Sequence, residues 1–349
     1  MNSGIKDVAK LSGTSIATVS RVINNSTNVN PATQKKVRDA IKLLNYEPNH
    51  IAQSLRGNVF KSICVVGSRS SNTEYTTKIL YSISNQLATF NYNLILSSSK
   101  DAQDELEQCI SMVKRKIVQG VILIGSKVQD NLIEELHKLQ IPFVVIGEIA
   151  NPEYQNSIYH IDTDNYGDCL EAVNYLIQCG HTRIACLHSD LIYTVNRSRV
   201  NGYIEAHKSH NYSIDFSLVI DAGYSISDAY KAAYALLTQD NPPTAIFATD
   251  DLKALGCYKA AYQLGLRIPE DISILGHNNY DICGATFPRL TTVDVPIQAL
   301  GEQSCNILTA IINGEVPMKQ TILPTNLLIR DSIYRISTTH NTTPLPKDV

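Results

Sequence analysis

The chain has 349 residues, of which 44% are hydrophobic and 18% charged, and this composition excludes a disordered or fibrous protein. No apolar run approaches the roughly 18 residues of a membrane-spanning helix, and the N-terminus carries no apolar signal core, so we expect a cytoplasmic protein with no membrane partner. The formal net charge of −3 excludes a uniformly basic protein, but it hides an asymmetry along the chain.

The basic residues are concentrated near the N-terminus. Residues 1–60 contain eight Lys and Arg against three Asp and Glu, whereas the rest of the chain contains 22 basic residues against 30 acidic ones. A compact basic segment joined to an acidic body favours a nucleic-acid-binding module attached to a second functional unit. Charge alone leaves open that this segment is only a solvated basic surface.

Residues 4–25 have the pattern of a helix-turn-helix. The turn is predicted at Ser12-Gly13-Thr14, between two short segments with apolar residues at helical spacing. Ser15 can cap the second helix through its hydroxyl, and Asn30 followed by Pro31 predicts the start of a third helix. The predicted core of these three helices consists of Val8, Ala9, Val19, Val22, Val37 and Ile41.

The outward face of the second helix is predicted to enter the major groove of DNA. Its candidate contact residues are Ser15, Ile16, Ala17, Ser20, Arg21 and Asn24. Arg21 can donate two hydrogen bonds to a guanine edge, which is worth about 1–3 kcal/mol of discrimination between bases, and a phosphate contact or a surface charge is the alternative. Ile16 and Ala17 are suited to contact a thymine methyl group.

From residue 61 onward, short apolar runs alternate with helical patterns. Strands are predicted at 62–67, 93–97, 120–125, 142–147, 183–188, 245–248 and 272–276. Helices are predicted between them, among others at 75–90, 104–117, 166–179, 200–207, 227–237 and 252–264. This alternation indicates an α/β fold of doubly wound parallel sheets with helices on both faces, and the number of strands favours two lobes over one.

Polar side chains follow several of these strands, at the edge where parallel α/β sheets bind their ligands. The candidate ligand contacts are Ser68, Tyr75, Asp162, Arg199, Tyr224, Asp250 and Asn278. Such groups bond hydroxyls or stack on a sugar face, so we expect a cleft for a small polyhydroxylated ligand. Asp162 can instead be a loop or cap residue, and Tyr75 can instead pack in the core. His277 is a further candidate contact, whereas His181 is expected to be structural.

No motif of a catalytic, cofactor or metal site occurs in the sequence. The glycine-rich dinucleotide and phosphate loops, the H-E-x-x-H zinc motif and the G-x-S-x-G nucleophile motif are all absent. The eight cysteines are scattered without a C-x-x-C pair, and we expect buried thiols rather than disulfides or metal ligands. The sequence therefore predicts no enzyme, no cofactor and no metal.

Several segments resemble the LacI/GalR family of bacterial transcription regulators. In the head they are DVA at 7–9, ATVSRV at 17–22 and LNYEPNHIAQSLRG at 44–57. In the body, which resembles the family's effector domain and through it periplasmic sugar-binding proteins, they are DTDNYG at 162–167, RSRVNGY at 197–203, PTAIFATDDLKALG at 243–256 and PRLTTVDVP at 288–296. The segments occur in the family's order and extend over most of the chain.

The resemblance implies a helix-turn-helix domain at 1–48, a hinge helix and linker at 49–60, and an effector-binding and dimerisation domain at 61–335. Within that domain, one lobe would span about 61–160 and 292–321, and the other about 161–291 and 322–335. The polar tail at 336–349 is expected to be disordered.

The hinge of the family becomes helical on DNA, and two copies wedge a leucine into the minor groove. The matching residues are Asn49, Ala52 and Leu55. An ordinary linker, in which Leu55 packs on the body, is the alternative.

By resemblance, the protein would be a homodimeric transcription regulator, expected to be a repressor, that binds a pseudo-palindromic DNA operator and responds to a small saccharide. Arg199 would bond ligand hydroxyls and Tyr224 would stack. Asp250 and Asn278 would exchange hydrogen bonds with hydroxyls, whereas Asp251 would cap the following helix. The chain also resembles the maltose regulators of Gram-positive bacteria, which suggests a maltose-like α-glucoside.

Two other functions remain open from the sequence. One is a global carbon-catabolite regulator controlled by a phosphocarrier protein, because the recognition helix permits similar operators. The other is an architectural DNA-binding protein without a ligand response. An enzyme is a third option, which the missing motifs disfavour.

Overall fold

The computed structural model of the protein describes residues 4–23, 28–46, 61–67 and 74–336. The chain divides into two units, residues 1–60 and residues 61–349. The predicted hinge at 49–60 lies outside the described residues, and so does all of the predicted tail except its first residue. The same holds for the candidate contact residues Asn24, Asn49, Ala52, Leu55 and Ser68.

The described part of the N-terminal unit contains the three predicted helices, α1 (Ile5–Ser12), α2 (Ile16–Ile23) and α3 (Pro31–Leu43). Gly13 closes the turn after α1 with a left-handed backbone, φ 65°, which a residue without a Cβ adopts readily. The predicted cap of α2 is confirmed, because Ser15 Oγ accepts a hydrogen bond from the backbone N–H of Thr18 over 3.1 Å. The predicted cap of α3 is confirmed as well, with Asn30 accepting from the N–H of Ala32 over 2.8 Å.

A small apolar core holds these helices together. Its buried members are Val8, Ala9, Val19, Val22, Val37 and Ala40. The prediction is wrong at one position, because Ile41 is only half-buried at the edge of this core and Ala40 is buried in its place. Val37 and Ala40 are three residues apart and therefore lie on the same face of α3.

The strands of the body are β1 (Ser62–Val66), β2 (Asn93–Ser97), β3 (Gly120–Ile124), β4 (Phe143–Ile146), β5 (His160–Thr163), β6 (Ile184–His188), β7 (Val219–Asp221), β8 (Ala245–Ala248), β9 (Ser273–His277), β10 (Thr291–Asp294), β11 (Gln320–Leu323) and β12 (Asn326–Leu328). They form two six-stranded sheets, with the orders β11-β5-β4-β3-β1-β2 and β12-β10-β9-β8-β6-β7. Every pairing is parallel except that of β10 with β12.

The helices of the body are α4 (Glu74–Thr89), α5 (Ala102–Lys114), α6 (Asn131–Lys138), α7 (Asn165–Gln178), α8 (Thr194–Ser209), α9 (Ile226–Leu237), α10 (Asp251–Leu264) and α11 (Ile297–Ile312). In the first lobe α4 packs against α11, and in the second lobe α7 packs against α8 and α9 against α10. Close packing of the last pair requires Gly256, because a Cβ there would lie 2.6 Å from that of Ala229.

All seven predicted strands are present within two residues of their predicted ends. Each of them except β2 is buried throughout, which agrees with the continuous apolar runs that predicted them. Five strands were not among these predictions. β5 and β10 are four residues long and largely buried, whereas β7, β11 and β12 are three or four residues long and partly exposed. Short half-exposed strands at the edge of a sheet leave little apolar pattern to detect.

The predicted lobe boundaries need correction, because each of them falls inside a strand. The boundary at 160/161 lies within β5, which pairs with β4 and β11 in the first sheet. The boundary at 291/292 lies within β10, which pairs with β9 in the second sheet, and 321/322 lies within β11. Each strand stays in one sheet, so the chain crosses between lobes after Thr163, Asp294 and Leu323.

All eight cysteines are buried and none forms a disulfide, as the sequence predicted. In the part of the chain that the structure describes, no helix has both the length and the apolar character needed to cross a lipid bilayer.

Candidate functional site

The helix α2 exposes a polar face on the side away from the head core. Ala17 and Arg21 are exposed and Ser20 is half-buried, at positions that share one helix face. Within the described head, Arg21 makes no hydrogen bond or ion pair with another residue. Its guanidinium is therefore available to a base edge or a phosphate.

Two other predicted DNA contacts have structural roles in the head. Ile16 is half-buried and packs against the head core, so it is not fully on the outward face of α2. It lies three residues before Val19, so it is near the core side of α2. Its contact with a thymine methyl group stays a prediction. Ser15 is exposed, but its hydroxyl caps the helix and also bonds Thr18 Oγ1 over 2.9 Å.

A cavity lies between the carboxyl ends of the two sheets of the body. The volume of this cavity is about 120 Å³. The first lobe contributes residues after β3 and β4 and at the end of β5, and the second lobe contributes residues after β6, β8 and β9. The cavity brings together all six predicted ligand contacts that the structure describes: Tyr75, Asp162, Arg199, Tyr224, Asp250 and Asn278.

Arg199 is held rigidly in the wall of this cavity. Its side chain is only 7% exposed. The guanidinium donates to Asn165 Oδ1 over 2.9 Å, to the backbone oxygen of Thr249 over 2.6 Å and to Asn278 Oδ1 over 3.2 Å. These acceptors come from α7, from the end of β8 and from the end of β9, so the guanidinium is fixed before any ligand binds.

Asp250 and Asn278 form the polar centre of the second lobe's side of the cavity. Asp250 Oδ1 caps α10 by accepting from the N–H of Leu252 over 2.8 Å. Its other oxygen accepts from Asn278 Nδ2 over 2.9 Å and from the hydroxyl of Tyr280 over 2.8 Å. Asn278 has a left-handed backbone, φ 108°, which asparagine tolerates better than most residues and which is typical of strained functional loops.

The predicted role of Asp251 is wrong, because Asp250 caps α10 in its place. Asp251 is fully buried behind the cavity. It accepts a hydrogen bond from the N–H of Tyr280 over 2.9 Å and from the hydroxyl of Thr292 over 2.6 Å. Burial raises the pKa of its carboxyl group to about 7, although these hydrogen bonds lower it. Asp251 therefore ties the loop after β9 to the strand β10.

Asp162 lines the cavity from the first lobe. One of its oxygens accepts from the N–H of Thr163 over 2.8 Å and from the amide of Asn165 over 3.1 Å. Burial raises the pKa of Asp162 to about 7, against the effect of those bonds and of the positive charge on Arg199. The cap of α7 is Asp164, so Asp162 is not a capping residue.

Neither His277 nor His181 lines the cavity. His277 is fully buried and does not line the cavity, so the structure does not support it as a ligand contact; its ring bonds Asn278 Oδ1 over 3.1 Å. His181 is structural, as predicted, because its two ring nitrogens bond Thr244 Oγ1 and the backbone oxygen of Tyr334.

Other residues of the cavity were not among the predicted contacts. Asn196 donates to the backbone oxygen of Asp190 over 2.8 Å and lies 3.5 Å from the hydroxyl of Tyr224. Lys253, in the first turn of α10, is only 4% exposed, and its ammonium lies 5.6 Å from the centre of the Tyr224 ring. The only sequence signal for Lys253 was a charge three residues after a predicted ligand contact.

Direct hydrogen bonds join the two lobes around the cavity. Ser126 Oγ, after β3, bonds Thr194 Oγ1 at the start of α8 over 2.7 Å. Lys78 Nζ, on α4, bonds Asp281 over 2.9 Å. Backbone hydrogen bonds also join the lobes, from the N–H of Val128 to the oxygen of Ile192 over 2.9 Å and from the N–H of Thr194 to the oxygen of Ser126 over 3.1 Å.

The described residues include no group of three His, Cys, Asp or Glu side chains that could hold a metal ion. The polar groups of the cavity are instead suited to hydrogen bonding with an organic ligand.

Comparison with known proteins identifies both units. Residues 4–49 match the bacterial regulatory proteins of the lacI family, and residues 173–333 match a periplasmic binding protein-like domain. The HTH-type transcriptional repressor PurR of Haemophilus influenzae (strain PittEE) is 32% identical over 339 residues, which cover 95% of this chain and 99% of that protein.

Solved structures give the same result. The lac repressor dimer bound to operator and the anti-inducer ONPF is 25% identical, with a TM-score of 0.85, over 96% of this chain and all of the other. The complex of the transcriptional regulator CelR with cellobiose is 28% identical, with a TM-score of 0.71, over 95% of this chain and 100% of that one.

The relatives are transcriptional repressors and not enzymes, which agrees with the absence of catalytic motifs from the sequence. Their similarity extends over both the DNA-binding head and the ligand-binding body. The chain therefore belongs to the LacI family of bacterial regulatory proteins, as a DNA-binding transcriptional repressor regulated by a small-molecule ligand.

Proposed function

We propose that this repressor controls a carbohydrate-utilisation operon and that its effector is a small saccharide bound in the cavity between the two sheets. The proposal rests on one observation. Arg199, Asn278 and Asp250 form a continuous chain of hydrogen-bond donors and acceptors in the cavity wall. Tyr75 and Tyr224 line the same cavity.

A saccharide matches this chemistry because each hydroxyl group both donates and accepts a hydrogen bond, whereas its ring carbons present an apolar face. The carboxylates of Asp162 and Asp250 can accept from hydroxyls, and the amides of Asn196 and Asn278 can do both. The tyrosine rings can stack on the sugar. The structural similarity to CelR, which was solved with cellobiose, supports the same ligand class. A maltose-like α-glucoside, suggested by the sequence resemblance, is one candidate.

The regulation follows from the position of the cavity. A ligand that contacts Asp162 in one lobe and Arg199 in the other binds one arrangement of the lobes more tightly than another. Such coupling is typically about 1–3 kcal/mol. A twofold dimer places two recognition helices about one turn of DNA apart, which fits a pseudo-palindromic operator. The proposed major-groove contacts are Ser15, Ile16, Ala17, Ser20, Arg21 and Asn24.

The minor-groove contacts remain a proposal from the sequence alone, because Asn49, Ala52 and Leu55 lie outside the described residues. Apolar wedging by Leu55 would require two hinges side by side, and therefore a dimer.

The proposal is tested by measuring operator affinity with and without a panel of saccharides. The operator is first selected from a random-sequence DNA pool with the full-length protein. One saccharide is expected to change operator affinity by about 5- to 150-fold, which corresponds to the usual coupling energy. Arg199→Ala is the matched variant, and it should remove the response to ligand while leaving the ligand-free operator affinity within a few-fold.

The other outcomes identify the alternatives. A response to a phosphocarrier protein and to no saccharide would make this chain a global carbon-catabolite regulator. Operator binding that no ligand or protein alters would indicate an architectural role.

A further inference from the structure

Lys253 is a feature of the cavity that a neutral saccharide does not require. It lies in the first turn of α10, is only 4% exposed and lines the cavity. Its three N–H groups have no hydrogen-bond acceptor among the residues that the structure describes, and it forms no ion pair with them. Burying an ammonium group is costly, because burial removes most of its water shell and no hydrogen-bond acceptor of the protein replaces it.

Neighbouring residues offset only part of the cost of burying the ammonium group of Lys253. The ring of Tyr224 lies 5.6 Å from the ammonium, within the range of a cation–π contact. The negative charge of Asp250 is nearby, but both oxygens of that carboxylate already accept hydrogen bonds from Leu252, Asn278 and Tyr280. Burial lowers the pKa of Lys253 and Arg199 lowers it further, whereas the negative charges of Asp250 and Asp221 raise it. The cavity thus holds two buried cations on one side.

The two acidic side chains that line the cavity, Asp162 and Asp250, only partly offset the charge of these cations. Burial raises the pKa of Asp162 to about 7, so a fraction of that carboxyl group is protonated near neutral pH. Asp250 is the remaining acidic side chain that lines the cavity. A ligand that brings its own negative charge would therefore complete the site.

We propose that the effector is an anionic saccharide whose carboxylate or phosphate group accepts hydrogen bonds from Lys253. This inference rests on the proposed function and narrows its ligand class. The hydroxyl groups of the sugar bind Arg199, Asn278 and Asp250, and the acidic group occupies the end of the cavity next to Tyr224. A sugar acid and a sugar phosphate share this chemistry.

The test uses titration calorimetry of the full-length protein with matched neutral and acidic ligands that keep the same sugar rings. Glucose, glucuronate and glucose 6-phosphate form one set, galactose and galacturonate a second, and maltose and maltose 6′-phosphate a third. In at least one set, the acidic member is expected to bind at least tenfold more tightly than the neutral one. The two acidic members of the glucose set distinguish a carboxylate from a phosphate. Raising the salt concentration should weaken the acidic ligand only.

Two variants of α10 separate a specific role from a general change in charge. Lys253→Met should abolish the preference for the acidic ligand over the neutral sugar. Lys259→Met removes the same charge from an exposed position on the same helix and should leave the preference intact. If Lys253→Met does not fold, the inference is tested by whether the unmodified protein prefers the acidic ligand over the neutral one.

The inference fails if neutral and acidic members bind equally, or if the preference persists in Lys253→Met. In either case the proposed saccharide regulation stands, because a sugar still binds. If no member of any set binds, both the inference and the proposed saccharide effector are wrong.

Discussion

Asp250 accepts a hydrogen bond from the side-chain amide of Asn278 over 2.9 Å, so the two residues that the sequence predicted as separate ligand contacts form one unit. The other end of that amide accepts from Arg199 over 3.2 Å. The Asn278 amide can make both bonds only because it offers a donor on one side and an acceptor on the other. The unit is therefore sensitive to the difference between an amide and a carboxylate.

The first prediction replaces Asn278 with Asp, a residue that also tolerates its left-handed backbone. Asn278→Asp places a second carboxylate against Asp250, so one of the two must hold a proton to higher pH. We expect effector affinity to fall at least tenfold at pH 7.5 and to recover partly at pH 5.5. Calorimetry at the two pH values measures this, and equal affinity at both would contradict the role of the unit.

The second prediction concerns the buried carboxyl group of Asp162, whose pKa is raised to about 7 by burial. Since its unfolded pKa is near 3.9, the folded protein binds more protons between about pH 4 and 7, and stability is lost as the pH rises through that window. Asp162→Asn keeps the oxygen that accepts from Thr163 and Asn165 but cannot ionise. We expect the free energy of unfolding of the variant, relative to that of the unmodified protein, to rise by about 3–4 kcal/mol between pH 4 and 7.5.

Urea denaturation of both proteins across this range measures the difference. The neighbouring charges of Arg199 and Glu148 are unchanged by the substitution, so their effect cancels to first order. A stability difference that does not vary with pH would show that Asp162 does not titrate in this range.

The third prediction is that Lys253 lowers the stability of the ligand-free protein, although it is proposed to bind the effector. Because burial lowers the pKa of its ammonium group, the unfolded state binds the proton more tightly, and the stability of the folded state rises with pH up to the ordinary pKa of about 10.4. Lys253→Met should therefore stabilise the ligand-free protein by about 1–2 kcal/mol at pH 7, and this gain should shrink towards pH 10. The charged or titratable groups that act on Lys253 are Asp250, Arg199, Asp221 and Cys186.

Thermal unfolding at pH 7 and 9.5, with Lys259→Met as the exposed control, measures this gain. The control should shift the midpoint little at either pH, since its side chain is exposed. A destabilised Lys253→Met would mean that the ammonium group makes contacts that stabilise the ligand-free fold.

Features that depend on residues close together in the chain could be predicted from the sequence, whereas features that depend on contacts between distant residues could not. The strands β3 and β4 are continuous apolar runs, and their burial can be predicted from a few neighbouring residues. The contacts at the ends of strands could be predicted because parallel sheets bind ligands at one edge. The exchanged roles of Asp250 and Asp251 could not be, because they depend on which carboxylate faces Thr292 and Tyr280 across the sheet.

Lys253 illustrates the same limit. A lysine in the first turn of a helix is usually solvated, and nothing nearby in sequence indicates that Tyr224 and the cavity cover it. Ile16 was placed on the outward face of α2 from the sequence, but it is half-buried and packs against the head core.

The fourth prediction concerns DNA specificity. Arg21→Ala should lower the affinity for the selected operator and relax the preference at one symmetric base pair by about 1–3 kcal/mol, because a guanine contact by the exposed guanidinium is lost. Lys42→Ala removes an exposed charge from α3 of the same head and should weaken binding to all sequences equally. Operator-variant competition measures both. An equal loss over all sequences in Arg21→Ala would assign Arg21 to a phosphate.

The fifth prediction addresses how the lobes are held together. Thr194→Val keeps the shape of the side chain but removes the hydroxyl that bonds Ser126 across the lobes over 2.7 Å, at a buried position. A buried hydrogen bond contributes about 1 kcal/mol, and Ser126 Oγ keeps its other bond, to the backbone oxygen of Glu148. Since the cavity is lined by both lobes in this arrangement, effector affinity should fall about fivefold or more.

A second bond between the lobes provides the comparison. Ser198 donates to Glu148 over 2.6 Å at an exposed position, where water can replace the lost partner. Ser198→Ala should therefore lower effector affinity less than twofold. If the two variants have equal effects, burial does not decide the strength of these contacts. If neither has an effect, the lobes are positioned by other contacts, and the coupling between ligand and operator does not pass through the bond between Ser126 and Thr194.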